Sequence, residues 1–176
     1  MMHVVVDTNV ILVANSAHAD VSPDCVEACV DRLESLMKNG KVVIDDNYRI
    51  LGEYQRKISP VKNKGPGDVF VRWLLKNSAN IRHVEQVTLT EPTFEVFDEF
   101  PDTALQLKVD AADRKFLATA AAHPLQPPVW QATDSKWLDW WMPLKAAGVS
   151  IEFLCPEDLC RFYGRKFPHR SVPPLP

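Results

Sequence analysis

The fold is decided by a short stretch that reads VVVDTN over residues 4–9, three β-branched residues followed by three polar ones. An uninterrupted apolar run of this length is typical of a strand that is buried on both faces of a parallel sheet. The same pattern recurs at residues 41–44 and 129–132, and acidic or polar residues follow each run. The sequence therefore predicts buried strands whose carboxyl ends present polar side chains.

Helical stretches alternate with these strands. Ser22-Pro23-Asp24 is typical of a helix start, with Ser as the cap and Pro at the first helical position, and Asn39-Gly40 is typical of a helix end. Further helices are predicted over residues 10–12, 47–58, 68–76, 110–122, 137–147 and from 156, and further strands over 81–89 and 149–154. This alternation predicts an α/β fold, a three-layer αβα domain with a central, mainly parallel sheet of four or five strands.

Length and composition favour one folded domain. The chain has 176 residues, and we assign residues 1–160 to the domain and 161–176 to a basic, Pro-rich tail. Within this tail we expect residues 171–176 to be extended and mobile. The net charge of -3 argues against nucleic-acid binding through overall charge alone, although residues 49–76 are locally basic. No apolar run approaches the roughly 18 residues of a membrane helix, so we expect no membrane contact.

The four cysteines, Cys25, Cys29, Cys155 and Cys160, lack the spacing of a zinc site. Cys25 and Cys29 stand four residues apart on a predicted helix, where small buried side chains are common, and we expect no zinc or redox role for the four. The amino-terminal stretch also lacks the pattern of a secretion signal. A reducing, cytoplasmic location is therefore predicted.

Acidic residues fall where strands end or helices begin. Asp7 and Asp134 end two strands, Glu53 lies about two turns into a helix, and Asp110 and Asp113 begin another helix on one face. Each acid taken alone has a structural interpretation, as a turn residue, a helix cap or a solvated side chain. Together, at one edge of a parallel sheet, they would repel one another unless a cation balanced them. Hard oxygen ligands of this kind suit Mg²⁺ or Mn²⁺.

These motifs, taken together, resemble those of PIN-domain nucleases over roughly residues 2–160. The similarity is carried by VVVDTNV at 4–10, ILGEY at 50–54, DAADRKFLATA at 110–120 and ATD at 132–134. The resemblance implies a PIN-like fold and a divalent-metal-dependent endoribonuclease that hydrolyses single-stranded RNA, or sometimes single-stranded DNA. The implied ligands of Mg²⁺ or Mn²⁺ are Asp7, Glu53, Asp113 and Asp134, with Asp110 assisting through water and with Asn9 and Thr133 as hydrogen-bonding support.

The resemblance also bears on partners. Some PIN domains are the toxins of toxin–antitoxin pairs, and this chain is longer than those, with a basic loop around residues 59–67 and the tail. An antitoxin-like protein partner and a homodimer are both left open. Lys136 stands where many relatives carry an acid or Asn.

Two other functions compete with the nuclease. A phosphatase with an aspartate nucleophile needs a second acid two positions after Asp7 as general acid, and Asn9 stands there instead. A PIN-like scaffold that binds RNA or protein, with weak or no cleavage, is the stronger alternative.

Basic and aromatic side chains near the acids suggest contacts with nucleic acid. Lys62, Lys64 and Arg114 flank the acids in sequence, and we expect them to contact phosphates. A cluster of tryptophans on one predicted helix either stacks bases or packs in the core. Its members are Trp137, Trp140 and Trp141.

Overall fold

The computed structural model describes residues 1–58 and 65–176. Within them, five parallel strands form one sheet in the order β3-β2-β1-β4-β5. The strands are β1 (Met2–Val6), β2 (Gly40–Asp45), β3 (Val84–Val87), β4 (Val129–Gln131) and β5 (Ile151–Phe153). The expectation of an α/β fold around a parallel sheet is therefore confirmed, with five strands.

Eight α-helices flank this sheet in the described part of the chain, as expected for three layers. They are α1 (Thr8–Ala14), α2 (Pro23–Asn39), α3 (Arg49–Lys57), α4 (Pro66–Asn77), α5 (Thr103–Lys108), α6 (Arg114–Ala122), α7 (Trp137–Ala146) and α8 (Pro156–Lys166). Of the helices that the structure describes, none is both long enough and apolar enough to cross a bilayer.

Strand β1 and helix α7 both contribute buried side chains to the hydrophobic core. Val4, Val5 and Val6 of β1 are fully buried, as the run of β-branched residues predicted. The three tryptophans of α7 belong to the same core, with Trp137 fully buried and Trp140 and Trp141 nearly so. Their burial supports the packing interpretation and contradicts base stacking, because a stacking ring must be accessible to a base.

Helix α1 is only seven residues long and is fixed by close packing against α4. A Cβ atom added at Gly67 would lie 2.4 Å from the carbonyl oxygen of Ile11, which is a steric clash. Glycine at this position therefore allows α4 to approach α1 closely. The backbone N–H of Gly67 also donates to Oδ1 of Asn15, at 2.7 Å. These contacts hold α1, which begins directly after Asp7.

Strand order reverses between β1 and β4. From β1 the chain proceeds to β2 and β3 on one side, and later to β4 and β5 on the other. Val6 is in register with Trp130, so the carboxyl ends of β1 and β4 lie side by side. A reversal of this kind opens a crevice at the carboxyl edge, where ligands bind in parallel α/β sheets.

The helix predicted over residues 110–122 begins later than expected. Residues Ala111–Asp113 form a turn of 3-10 helix, and α6 starts at Arg114. Asp110 itself has extended backbone angles, so it and Asp113 do not begin one helix as predicted. Short helical turns of this type are common at the amino end of an α-helix and are not visible in the apolar pattern.

The chain's final residues pack on the domain. Helix α8 runs across the boundary predicted at residue 160. Beyond it, residues 171–176 are extended, and the indole N–H of Trp141 donates to the carbonyl oxygen of Pro174 at 2.9 Å. Arg170 pairs with Asp139 of α7 at 3.2 Å. These contacts tie the basic, Pro-rich tail to α7.

A disulfide bond joins Cys25 of α2 to Cys155, the residue before α8. The expectation that the cysteines have no redox role is wrong for this pair. The two residues are 130 positions apart, and spacing rules detect only cysteines that are close in sequence. Among the described residues, Cys29 and Cys160 are free cysteines.

Candidate functional site

Asp7 lies at the centre of the crevice between β1 and β4. It follows the last residue of β1 and caps α1, because its carboxylate accepts the backbone N–H of Asn9 at 2.9 Å. The same oxygen, Oδ2, accepts a hydrogen bond from the side-chain amide of Gln131 at 3.0 Å. The residue is 5% exposed. A buried carboxylate is thus held in a fixed orientation by two donors.

Asp134 follows β4 and is connected to Asp7 through Gln131. The backbone N–H of Asp134 donates to Oε1 of Gln131 at 3.1 Å, while the amide nitrogen of the same glutamine binds Asp7. Gln131 is fully buried. One amide side chain therefore sets the relative position of two predicted ligands, a role that the sequence analysis missed.

Asn9 and Thr133 make the supporting contacts that the resemblance implies. Oδ1 of Asn9 accepts the backbone N–H of Thr133 at 2.7 Å and its hydroxyl at 3.1 Å. These bonds join the first turn of α1 to the loop after β4. The start of α1, next to Asp7, is thereby held against the loop that carries Asp134.

Asp113 approaches the same crevice from the turn before α6, and it is partly buried. Burial, followed by the negative charges of Asp7 and Asp134, raises the pKa of Asp113 to about 9. Burial also raises the pKa of Asp7, to about 7, and the negative charge of Asp134 contributes to this rise. Because the charge of Asp134 acts on both Asp7 and Asp113, and that of Asp7 acts on Asp113, the three carboxylates belong to one electrostatic cluster.

Glu85, on the outer strand β3, is a carboxylate whose charge is balanced by basic partners. Glu85 of β3 accepts a hydrogen bond from Lys41 at 2.5 Å and contacts His123 at 2.7 Å. These partners, Lys41 first, lower the pKa of Glu85 to about 2. Asp7 and Asp113 differ from Glu85 in that burial is the main cause acting on them and raises their pKa values.

Glu53 lies close enough to this cluster for its charge to contribute to the raised pKa of Asp7, but it is paired with a lysine. Its Oε2 pairs with the ammonium of Lys115 at 2.5 Å, and its Oε1 accepts the hydroxyl of Thr8 at 2.7 Å. Lys115 is 4% exposed, so the ion pair is buried. Both oxygens of Glu53 are engaged, which makes it an ion-pair partner in this structure rather than an open metal ligand.

Asp110 is also paired with a lysine. Lys136 contacts its Oδ2 at 2.5 Å, and the Asp110 side chain is 46% exposed. The charge of Asp110 still contributes to the raised pKa of Asp113, so the residue lies at the rim of the cluster. Lys136 thus neutralises a rim acid.

The separations between the carboxylate oxygens determine how a divalent cation could bind here. Within residues 1–58 and 65–176, no three carboxylates offer oxygens that all lie within 4.8 Å of one another. Mg²⁺ keeps several of its waters and needs only one or two direct carboxylate ligands, so a spread cluster of this kind suits it. The uncompensated acids Asp7, Asp113 and Asp134 therefore have the donor chemistry of a hydrated Mg²⁺ or Mn²⁺ site.

Of the three residues predicted to contact nucleic acid, the structure describes only Arg114. Lys62 and Lys64 lie outside the described residues. Arg114 follows Asp113 directly, and its guanidinium donates to the carbonyl oxygens of Val109 and Glu95 at 3.1 and 3.2 Å. Its contact with phosphate stays a prediction.

The raised pKa values predict how pH affects the metal-free protein. An aspartate in the unfolded chain has a pKa of about 3.9, whereas the pKa of Asp113 in the folded protein is about 9. Between about pH 3.9 and about pH 9, the folded state therefore binds the proton of Asp113 more tightly than the unfolded state does. Stability therefore falls as the pH rises through this interval and levels off above it. We expect the melting temperature of Asp113→Asn in EDTA to exceed that of the wild type at pH 9 and to match it at pH 4.

Thermal melts of the two proteins across this range measure the difference directly. Asp31→Asn is the matched control, because Asp31 is an exposed residue of α2, and its curve should parallel the wild type. A constant difference between Asp113→Asn and the wild type at all pH values would contradict the assigned cause.

Comparisons of the chain with protein-family models, with curated proteins and with solved structures found no match. The resemblance to PIN domains thus rests on the motifs in the sequence, and the site rests on its geometry.

Proposed function

We propose that the protein is a divalent-metal-dependent nuclease that cleaves single-stranded RNA internally. The observation that carries the proposal is the cluster of Asp7, Asp113 and Asp134 at the crevice where strand order reverses, with pKa values of Asp7 and Asp113 raised to about 7 and about 9. Acids held together at such a cost to their ionised forms are typical of sites that a cation completes.

In this proposal Asp7, Asp113 and Asp134 hold Mg²⁺ or Mn²⁺. The bound cation supplies an activated water and balances negative charge on the phosphate. The described side chains provide orientation. Gln131 and the backbone of Asn9 fix the Asp7 carboxylate, and the bonds between Asn9 and Thr133 fix the loop that carries Asp134.

The Lys115–Glu53 ion pair has a separate part in the proposal. The buried ammonium of Lys115 lowers the pKa of Asp113, which favours the ionised ligand. Glu53, which accepts the hydroxyl of Thr8, holds Lys115 beside the cluster. We assign Glu53 to this positioning role and not to direct metal binding as long as the ion pair is intact.

The choice of RNA as substrate comes from the resemblance to PIN domains. A cytoplasmic location is part of the same proposal, while an antitoxin-like partner and a homodimer stay open. The locally basic stretch of residues 49–76 is consistent with a phosphate-bearing substrate.

The test is cleavage of an unstructured RNA labelled at one end. We expect products of intermediate length with Mg²⁺ or Mn²⁺, none after treatment with EDTA, and recovery when the metal is restored in excess. Single-stranded DNA and duplex RNA of the same sequence serve as comparison substrates and should be cut more slowly. Cleavage that persists in EDTA would contradict a metal-dependent mechanism.

The scaffold alternative is favoured by one feature, the neutralisation of Glu53 and Asp110 by Lys115 and Lys136. A scaffold would bind labelled RNA in fluorescence anisotropy and leave it intact at every metal concentration. Persistent binding without products would therefore replace the nuclease proposal with the scaffold.

A further inference from the structure

Three cysteine sulfurs meet in the core, away from the acidic cluster. The Sγ atoms of Cys25, Cys29 and Cys155 all lie within 4.8 Å of one another, and in the described part of the chain they are the one group of three metal-binding side chains that does so. Cys29 Sγ is 3.9 Å from Cys155 Sγ. All three residues are buried.

The fold brings the sulfurs together from two helices. Cys25 and Cys29 are four residues apart in α2 and thus lie on one face of it, while Cys155 immediately precedes α8. The bond between Cys25 and Cys155 occupies this cluster in its oxidised form, with Cys29 beside it as a free thiol.

A surface cavity leads to the cluster. It has a volume of about 270 Å³, and Cys25 and Cys155 form part of its wall. Asp24, Glu157 and Asp158 also line it. Asp158 is buried and pairs with Arg161 at 3.4 Å. Asp24 and Glu157 are exposed, and their charge favours a cation over an anion as the species that reaches the sulfurs.

We propose that the reduced cluster of Cys25, Cys29 and Cys155 binds one thiophilic d¹⁰ cation, Zn²⁺ or Cu⁺, and that the Cys25–Cys155 disulfide closes this site. Opening requires a dithiol reductant, which gives two electrons and two protons to the disulfide and becomes a cyclic disulfide itself. The cation then displaces thiol protons as the sulfurs become ligands.

The sulfur geometry supports such a cation. A Zn–S bond of about 2.3 Å separates two sulfurs by about 3.8 Å at a tetrahedral angle, close to the 3.9 Å between Cys29 and Cys155. Thiolate sulfur selects soft cations over Mg²⁺ or Mn²⁺. Zn²⁺ would need a solvent molecule as a fourth ligand, whereas Cu⁺ would need the three sulfurs alone.

Without a cation Cys29 keeps its proton, since burial raises the pKa of its thiol to about 12. Ligation through this sulfur should therefore release a proton.

The experiment titrates reduced and oxidised full-length protein, freed of reductant and kept anaerobic, with Zn²⁺ against a chromophoric chelator and with Cu⁺ against bicinchoninate. We expect the reduced chain to bind one equivalent of at least one of these ions, and the oxidised chain to bind at least about 10-fold more weakly. Each titration is repeated in Asp7→Asn, so that binding at the acidic cluster is separated from binding at the sulfurs. This proposal does not depend on the proposed function.

Cys29→Ser should weaken binding at least about 10-fold, as expected when a direct ligand is lost. Cys160→Ser, which alters a free cysteine outside the cluster, should bind as the wild type does. Circular dichroism of the oxidised Cys29→Ser protein checks that it is folded. Equal affinity of reduced and oxidised wild type for both ions, or of Cys29→Ser and wild type, would overturn the proposal.

Discussion

Asp7→Asn should cleave RNA at least about 100-fold more slowly than the wild type while remaining folded. Replacing residues that merely support metal ligands costs about 10- to 100-fold in metal affinity or activity, and a direct ligand should cost no less. Asparagine preserves the shape of the side chain, and its one carbonyl oxygen can accept both hydrogen bonds that now reach Oδ2 from Asn9 and Gln131. What the substitution removes is the negative charge.

The same substitution should leave stability equal or higher at neutral pH. Burial and the charge of Asp134 raise the pKa of Asp7 to about 7, so its ionised form is unfavourable in the metal-free protein. A neutral amide avoids this cost. Loss of cleavage together with a preserved or raised melting temperature therefore separates a role in metal binding from a role in folding.

Asp110→Asn is the matched control for this experiment. Asp110 lies at the rim, is paired with Lys136 and is largely accessible to solvent, so its replacement should reduce cleavage far less than that of Asp7. Isothermal titration with Mn²⁺ gives an independent measure, in which Asp7→Asn should bind more weakly than Asp110→Asn. If Asp7→Asn cleaves as fast as the wild type at saturating Mn²⁺, the assigned mechanism is wrong.

The sequence was informative about the site where geometry follows directly from strand pairing. Asp7 and Asp134 end two β-branched or apolar runs, and adjacent parallel strands bring such residues to one edge. That β1 and β4 are neighbours follows from chain topology, which the alternation of elements restricts strongly. The contact between Asn9 and Thr133 accompanies the same pairing.

Residues that act through tertiary contacts gave no comparable signal. Gln131 is a polar residue in a short strand, and its bonds to Asp7 and Asp134 exist only once β1 and β4 are in register. Lys115 follows Arg114 in sequence and resembles a solvated helix residue. Its burial depends on the rotation of α6 about its axis, which no local pattern specifies.

The start of α6 shows a further limit. Its Ala-rich sequence favours helix throughout, yet the 3-10 turn at Ala111–Asp113 changes the direction of two acids. Asp110 consequently meets Lys136 at the rim, and Asp113 contributes to the inner cluster. Propensity identified the helix but not this division of roles.

Reduction of the Cys25–Cys155 disulfide should lower the melting temperature by roughly 5–15 °C. The bond joins residues 130 positions apart, and a cross-link across so long a loop removes much conformational freedom from the unfolded chain. Native disulfides contribute about 2–4 kcal/mol to the free energy of unfolding, and for a domain of this size each kcal/mol corresponds to about 2–4 °C.

The variant that tests this prediction replaces both partners, Cys25→Ala with Cys155→Ala. A single replacement of Cys25 would leave Cys155 with Cys29 only 3.9 Å away as a new partner. The double variant should melt at the lower temperature with or without a dithiol, whereas the wild type should shift only when the dithiol is added. Cys160→Ser should follow the wild type under both conditions.

An unchanged melting temperature after complete reduction would mean that non-covalent contacts alone hold α2 to α8. The structure contains such contacts: the backbone N–H of Ser22 donates to Asp158 at 2.7 Å, and Arg161 donates to the carbonyl oxygen of Asp20 at the same distance. The contact of Arg161 is exposed and contributes about 1 kcal/mol or less, whereas Asp158 is buried and its hydrogen bond to Ser22 contributes more, about 1.5–3 kcal/mol. Both contacts persist after reduction and restrain only the folded chain. Loss of the cross-link frees a loop of 130 residues in the unfolded chain, and for this reason reduction should lower the stability of the domain.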